Sequence, residues 1–267
     1  MKALTVAGVS KIYKNGVKAL NSVSLEIKKG DFFALLGANG AGKTSLIGII
    51  TGLVNKTEGK IEVLGHDIDK EPNLVKSMVG IVPQEFNFSM FEKVIDIIVW
   101  QAGYFGIPRN EAVPRAEEIL EQLGLGDKKN VIARTLSGGM KRRLMIARAL
   151  IHKPKFLILD EPTAGVDVEL RHGMWEYLKK LNGEDGVTIL LTTHYLEEVE
   201  QMCKNAAIIK TGEIIREDTV KNLLNSVEKE TYLIDTKNPV TKSKTTYLDP
   251  NTLTFSDYHH PLFSYIW

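Results

Sequence analysis

The run Gly37-Ala38-Asn39-Gly40-Ala41-Gly42-Lys43-Thr44 limits what this chain can fold into more than any other stretch. It has the spacing G-x-x-x-x-G-K-[ST], and its flanks suit that motif. Residues 31–36 are almost wholly apolar and read as a buried strand, while residues 44–50 read as a helix ending near Thr51 and Gly52. A strand, a tight glycine-rich loop and a helix in that order make a cradle for an anion. Glycines at 37, 40 and 42 are expected to allow the backbone angles that turn successive N–H groups toward one point. The helix aims its free N-terminal donors and partial positive charge at the same point. Lys43 can then reach the β- and γ-phosphates of a nucleotide, and the Thr44 hydroxyl can ligate Mg²⁺.

Composition enters as a set of exclusions. With 34 basic and 33 acidic residues in 267, the net charge is +1, which argues against wholesale nucleic-acid binding. A single cysteine, Cys203, rules out an intrachain disulfide and fits a reducing compartment. No apolar run approaches the roughly 18 residues that span a bilayer. The first residues lack the long apolar stretch and small-residue cleavage site of a leader. The expectation is a soluble, cytoplasmic protein that reaches a membrane only through another protein.

Taken in order, the chain begins with an antiparallel β region over residues 4–36. Asn15-Gly16 marks a hairpin turn, and Val23, Leu25 and Ile27 alternate with polar residues. Short strands follow at 60–64 and 79–82. Residues from about 88 to 152 read as helices: one over 91–100, one capped by Asn110 with Pro114 near its first turn, and one from about Gly139 to His152. The continuous apolar run 156–159, closed by Asp160 and Glu161, suits a central parallel strand. Asp167 can cap the next helix. A buried strand over 187–193 ends at His194, a helix covers 195–205, and a hairpin turns at Thr211-Gly212. Asp218 or Thr219 starts a last helix. Beyond residue 226 the signal weakens to two short strands, 232–234 and 252–255, and an aromatic ending.

Two further sites carry chemistry. Asp160 ends a strand C-terminal to the glycine-rich loop, where open α/β sheets present ligand-binding groups; it suits the carboxylate that holds Mg²⁺ in nucleotide triphosphatases. Glu161 beside it points elsewhere and can orient or deprotonate a water. Ser137-Gly138-Gly139 forms a second anion nest at a helix N-terminus. Alone it reads as a plain helix cap, but one triphosphate needs only one loop, so a second nest asks for a reason. Lys141-Arg142-Arg143 reads as a solvated helix face rather than a nucleic-acid patch. His66, His152 and His172 lack metal-ligand spacing, and His259-His260 reads as an exposed pair.

On these residues the chain resembles the ATP-binding subunits of ABC transporters over about residues 1–225. Residues 37–44 match Walker A, Gln84 the Q-loop, 136–140 the signature, 157–161 Walker B, 162–167 the D-loop and His194 the switch histidine, all in the family's order. The wording of residues 137–144, 162–167 and 193–198 is most similar to bacterial ABC-2-type exporter ATPases. Met140, where many members carry glutamine, fits that subclass and leaves the nest intact.

The resemblance implies an α/β fold: a P-loop NTPase (RecA-like) core with a parallel sheet, an N-terminal antiparallel β subdomain and an inserted α-helical subdomain. It implies one ATP-binding domain over 1–225, with its helical subdomain at about 88–152, and a C-terminal extension over 226–267. Two copies would pair head to tail around two ATP and Mg²⁺, which accounts for the second nest. Tyr13 would stack on adenine. Gly37, Ala38, Asn39, Gly40, Ala41, Gly42, Lys43, Thr44 and Ser45 would hold the phosphates. Ser137, Gly138 and Gly139 would contact the γ-phosphate held by the other copy. Thr44, Gln84 and Asp160 would serve the metal, Glu161 would be the general base, His194 would contact the γ-phosphate, and Asp167 would couple the two sites. The implied partner is an integral membrane permease of ABC-2 type, docked near residues 84–100 where Phe86, Phe88, Phe91 and Trp100 cluster, at the cytoplasmic face of the inner membrane. No nucleic-acid partner is expected. The competing readings are a soluble ABC ATPase acting on the ribosome or nucleic acid, disfavoured by the near-neutral charge, and a module that binds nucleotide without hydrolysing it, disfavoured by Glu161 and His194.

Overall fold

The computed structural model describes residues 1–163, 168–225, 232–235, 246–249 and 252–255. Strands β1 (Lys2–Ile12) and β2 (Lys18–Lys28) form the expected hairpin, its turn closed by Gly16 N–H on Tyr13 O at 2.9 Å. The chain then enters β3 (Phe32–Leu36), the glycine-rich loop and helix α1 (Lys43–Ile50). Strands β4 (Glu58–Val63) and β5 (His66–Asp67) complete a four-stranded antiparallel sheet in the order β2-β1-β4-β5. Helix α2 (Pro72–Met78) leads into β6 (Val79–Val82). Neither β5 nor α2 is legible from periodicity, because two and seven residues are too few to show a period.

Helices α3 (Val94–Tyr104), α4 (Arg109–Gln122) and α5 (Gly138–Leu150) follow, and then β7 (Phe156–Asp160), α6 (Val168–Gly183) and β8 (Thr188–Thr193). The unit closes with α7 (Leu196–Met202), the hairpin β9 (Asn205–Lys210) and β10 (Glu213–Thr219), and α8 (Val220–Asn225). Thr219 caps α8, its hydroxyl accepting from Asn222 N–H at 3.2 Å. The second sheet has six strands in the order β10-β9-β3-β8-β7-β6, parallel except for the β9–β10 hairpin. Beyond residue 225, β11 (Tyr232–Asp235), β12 (Thr246–Asp249) and β13 (Thr252–Phe255) pair in the order β11-β13-β12. The expected strands at 232–234 and 252–255 are among them, and the aromatic ending lies outside the described residues.

The central strands owe their continuous hydrophobicity to burial on both faces. Phe32, Ala34, Leu36, Leu157, Leu159, Ile189, Leu191, Ala206 and Ile208 face one core, built with helices α3 to α7. Phe33, Leu35, Phe156, Ile158, Leu190, Ala207 and Ile209 face another, shared with α1 and the antiparallel sheet. Period-two alternation thus divides one sheet between two cores, each of the Leu, Ile and Phe side chains worth roughly 1.5–3 kcal/mol when fully buried.

Two helix starts differ from expectation. Helix α3 begins at Val94 rather than Phe91, because Lys93 is extended and the first free N–H groups are taken by a distant segment: Val94 N–H meets Val131 O and Ile95 N–H meets Lys129 O, both at 3.0 Å. It runs through Gly103 and stops at Gly106, whose φ of +73° permits the Ile107 N–H to Ala102 O bond of 3.1 Å. Helix α4 begins at Arg109 with Pro108 in the cap position, so Asn110 lies inside the first turn and caps nothing. Pro108 is extended at φ −67° and ψ 152°, which pre-sets the entry. Pro114 therefore sits in the second turn, where it forgoes a bond to the Asn110 carbonyl.

Candidate active site

The glycine-rich loop lies at the C-terminal end of β3, beside the ends of β8 and β9. Its glycines have separate reasons, and one differs from the sequence expectation. Gly40 and Gly42 have φ of +80° and +112°. Gly37 does not need a left-handed backbone. A Cβ there would lie 2.5 Å from the carbonyl oxygen of Ile209, so close approach to β9 is what demands glycine. The β9–β10 turn also braces the loop, with Gly212 N–H donating to Ala41 O at 2.9 Å.

Lys43, the first residue of α1, folds back across its own loop. Its Nζ donates to Gly37 O at 2.7 Å and Ala38 O at 3.1 Å, and lies 3.7 Å from Glu161 Oε1. Burial lowers its pKa, partly offset by the charges of Glu161 and Asp160. Asp160 ends β7, buried, with one carboxylate oxygen held by the Thr192 hydroxyl. Burial raises its pKa. The chain then turns sharply: Glu161 has φ of +47°, a conformation costly for a residue with a Cβ, and its N–H donates to Thr192 O at 3.0 Å. That kink separates the two neighbouring carboxylates and leaves Glu161 at a crossing point. Gln84 Nε2 donates to its Oε2 at 3.2 Å, and His194 Nδ1 lies 3.4 Å from its Oε1. Lys43, Gln84, Glu161 and His194 come from four separate elements and converge within hydrogen-bond or ion-pair reach.

Tyr13 reaches the same region from the β1–β2 turn. Its hydroxyl shares a 3.1 Å hydrogen bond with Ser45 Oγ on α1, and Lys11 Nζ lies 4.8 Å from its ring centroid. The ring is 36% exposed, so an aromatic face beside the loop is open to a flat partner. Thr44 is exposed at the start of α1.

The second nest stands apart. Ser137 caps α5, its hydroxyl accepting from Met140 N–H at 3.2 Å. Ser137 and Gly138 are exposed, and a Cβ at Gly138 would meet nothing within 4 Å. Among the described residues, nothing demands glycine there. Among the described residues, no hydrogen bond joins the nest to the Lys43 cluster. Asp167 lies outside the described residues.

One residue read from sequence as solvated is not. Arg142 is 4% exposed, and its guanidinium donates to Pro83 O at 2.8 Å and Gln84 O at 2.9 Å. Helical spacing alone could have flagged it: Arg142 shares a face with the apolar Met145, Ile146 and Ala149, three, four and seven residues on.

Of the expected docking aromatics, Phe91 and Trp100 are 73% and 49% exposed, whereas Phe88 packs against the core. Trp100 and Tyr104 line a cleft of about 680 Å³ with Asn87, Phe88 and Arg148. No helix among the described residues is long and apolar enough to cross a membrane.

Residues 20–164 match the model of the ABC transporter family. The chain is 40% identical over 231 residues to the linearmycin resistance ATP-binding protein LnrL of Bacillus subtilis (strain 168), covering 86% of this chain and 73% of that protein. It is 39% identical to Nod factor export ATP-binding protein I of Cupriavidus metallidurans, over 84% of this chain and 73% of that one. Among solved structures, the dimeric ATP-binding cassette MJ0796 with ADP and Pi superposes with a TM-score of 0.76 at 29% identity, covering 81% of this chain and 98% of that chain.

Proposed function

Since the chain belongs to the ABC transporter family of ATP-binding, ATP-hydrolysing subunits, we propose that it works as a head-to-tail homodimer driving a separate ABC-2-type membrane permease in the direction of export. The observation that carries the dimer is the division of the site. Lys43, Gln84, Glu161 and His194 converge in one place, while an exposed serine–glycine helix cap stands apart from them with a glycine, Gly138, that nothing among the described residues requires. A second copy supplies the reason: Ser137, Gly138 and Gly139 of one protomer contact the γ-phosphate held by Lys43 of the other.

The chemistry is in-line attack of water on the γ-phosphorus, with release of ADP as the bond to the β–γ bridging oxygen breaks. Glu161 takes the proton of the water, and Gln84 and His194, both against its carboxylate, orient it. Lys43 moves from its own loop carbonyls to the β- and γ-oxygens; its burial leaves it poorly solvated and ready for an anionic partner. The backbone N–H groups of residues 37–44 and the Ser45 end of α1 hold the remaining charge, and Tyr13 stacks on adenine. Asp167 is assigned the coupling of the two sites. The residues also fit Mg²⁺: the Thr44 hydroxyl, the Asp160 carboxylate and the Gln84 amide oxygen are hard donors, and Gln84 already spends its nitrogen on Glu161. When bound, Mg²⁺ would neutralise charge on the β- and γ-oxygens.

Export is supported by similarity to the linearmycin-resistance and Nod-factor-export proteins, and the ABC-2 class by the wording of residues 137–144, 162–167 and 193–198; hydrolysis chemistry by itself is common to both directions of transport. We assign the permease's cytoplasmic helix to the cleft beside Trp100 and Tyr104, whose exposed rings support this reading; the chain would then sit peripherally at the cytoplasmic face of the inner membrane. Affinity capture of a tagged Glu161→Gln chain from detergent-solubilised cells with ATP tests this. A multi-span membrane protein at near-equal amount is the expected result. Ribosomal or DNA-associated proteins without a membrane partner would overturn it.

A further inference from the structure

Helix α5 does more than present the serine–glycine cap. Five residues into it, Arg142 enters the loop that carries Gln84 and grips it at consecutive points. Nη1 donates to Pro83 O at 2.8 Å, Nη2 donates to Gln84 O at 2.9 Å, and the guanidinium lies 5.2 Å from the Phe86 ring centroid. Farther along the helix, Arg148 Nη1 donates to Asn87 O at 3.0 Å, with Nη2 on Asn87 Oδ1, so the loop is fastened at both ends. Its free flank is the Gln84 side chain, which reaches Glu161 at 3.2 Å.

Burying a guanidinium is costly, and burial is the main influence on Arg142. Its Nε has no hydrogen-bond partner, and no ion pair to it is found among the described residues. A group held at that cost for packing alone would be better replaced by an apolar side chain. What an apolar side chain cannot do is hold two successive carbonyls with one rigid planar fork. That fork fixes the peptide on both sides of the Gln84 Cα, and so fixes where the Gln84 amide can go.

We propose that Arg142 is the positioning residue that sets Gln84 against Glu161, and that it links the α5 cap to the chemistry of its own chain's site. The link is mechanical. Arg142 lies one turn, about 6 Å along the axis, from Gly138. A helix is stiff over one turn, so a shift of the cap when it meets a phosphate moves the fork, and the fork moves Gln84. This inference rests on the roles assigned above to Glu161 and Gln84.

The test uses the purified full chain, with its permease if turnover requires it, and four variants: Arg142→Met, Arg142→Lys, Gln84→Ala and the double variant Arg142→Met/Gln84→Ala. Turnover and equilibrium affinity for MgATP are measured together, at a temperature well below each unfolding midpoint. Arg142→Met is expected to lower kcat by tenfold to a hundredfold, the scale of a misplaced catalytic group, while the Kd for MgATP stays within about twofold. Arg142→Lys, whose ammonium can serve one carbonyl at a time, is expected to fall between. In the Gln84→Ala background, Arg142→Met should add less than a further twofold loss, because the group it positions is gone. Wild-type kcat in Arg142→Met, losses that multiply in the double variant, or affinity falling in step with kcat would each overturn the inference. If Arg142→Met does not fold, the same cycle with Arg142→Lys decides it by the same criteria. A wild-type chain that binds MgATP but does not turn it over would instead overturn the catalytic roles on which the inference stands.

Discussion

Gly37→Ala and Gly40→Ala should differ in cost although both glycines lie in the same loop. At Gly37 an added Cβ would sit 2.5 Å from Ile209 O, 2.9 Å from Ile209 Cγ2 and 3.2 Å from Ala41 Cβ. Ordinary contact begins near 3.4 Å, so about 0.9 Å must be absorbed against the nearest atom. That atom is main chain of β9, a strand paired with β3 on one side and β10 on the other, and cannot swing aside. Overpacking of this kind costs about 1–3 kcal/mol, and with rigid backbone as the obstacle the upper half of that range applies. At Gly40 the φ is +80° but nothing lies within 4 Å. Only the left-handed backbone is then penalised, about 1–2 kcal/mol, offset by roughly 0.4–1 kcal/mol from a less flexible unfolded chain. For a chain of this size each kcal/mol moves the unfolding midpoint by about 2–4 °C. The same offset applies at Gly37, so the net costs centre on about 1.8 kcal/mol for Gly37→Ala and about 0.8 kcal/mol for Gly40→Ala, and the two should melt roughly 5 °C and roughly 2 °C below wild type. Thermal unfolding without nucleotide, followed by circular dichroism, reads both. If Gly40→Ala costs as much as Gly37→Ala, the steric account of Gly37 is wrong.

Glu161→Gln should lower kcat by about 10²–10⁴-fold while ATP binding persists, the loss typical of a removed general base; turnover within tenfold of wild type would remove Glu161 from that role. Tyr13→Ala should weaken ATP binding about tenfold, within the 1–3 kcal/mol range of base stacking, and Tyr13→Trp should restore it; equal affinities in a fluorescence titration would dismiss the stack. Glu198 is 1% exposed, and burial raises its pKa above 4.5 against the opposing influence of the Thr193 hydroxyl and the Arg171 charge. The folded protein therefore keeps this proton at pH values where the unfolded chain has lost it, so stability falls as pH rises from about 4.5 through the folded value, and stays reduced at neutral pH. Glu198→Gln should add on the order of 1 kcal/mol at pH 7 and flatten that part of the profile; an unchanged slope in urea unfolding between pH 4 and 8 would reject this.

Much of this molecule is legible one window at a time. The glycine-rich loop between strand and helix, the alternation of β2, the apolar runs of β7 and β8 and the turns at Asn15-Gly16 and Thr211-Gly212 are local patterns, and they lie where the sequence places them. Helix starts were less legible. Asn110 has the chemistry of a cap, but Pro108 had already set the entry angle, and the start of α3 depends on carbonyls of Val131 and Lys129 far along the chain.

The sequence by itself determined which residue types were available for phosphate chemistry and in what order, because such motifs are short and their geometry is local. It determined the division of the central strands between two faces, because side chains alternate along any strand. Only the tertiary structure decided why Gly37 must be glycine, since the reason is a carbonyl of Ile209. It alone placed Tyr13 beside Ser45, and Gln84, His194 and Lys43 on one carboxylate. And it alone turned Arg142 from one charge in a basic run into a buried fork on the Gln84 loop. Each of these joins residues distant in sequence, and contacts of that kind follow from how sheets and helices pack, which no local window contains.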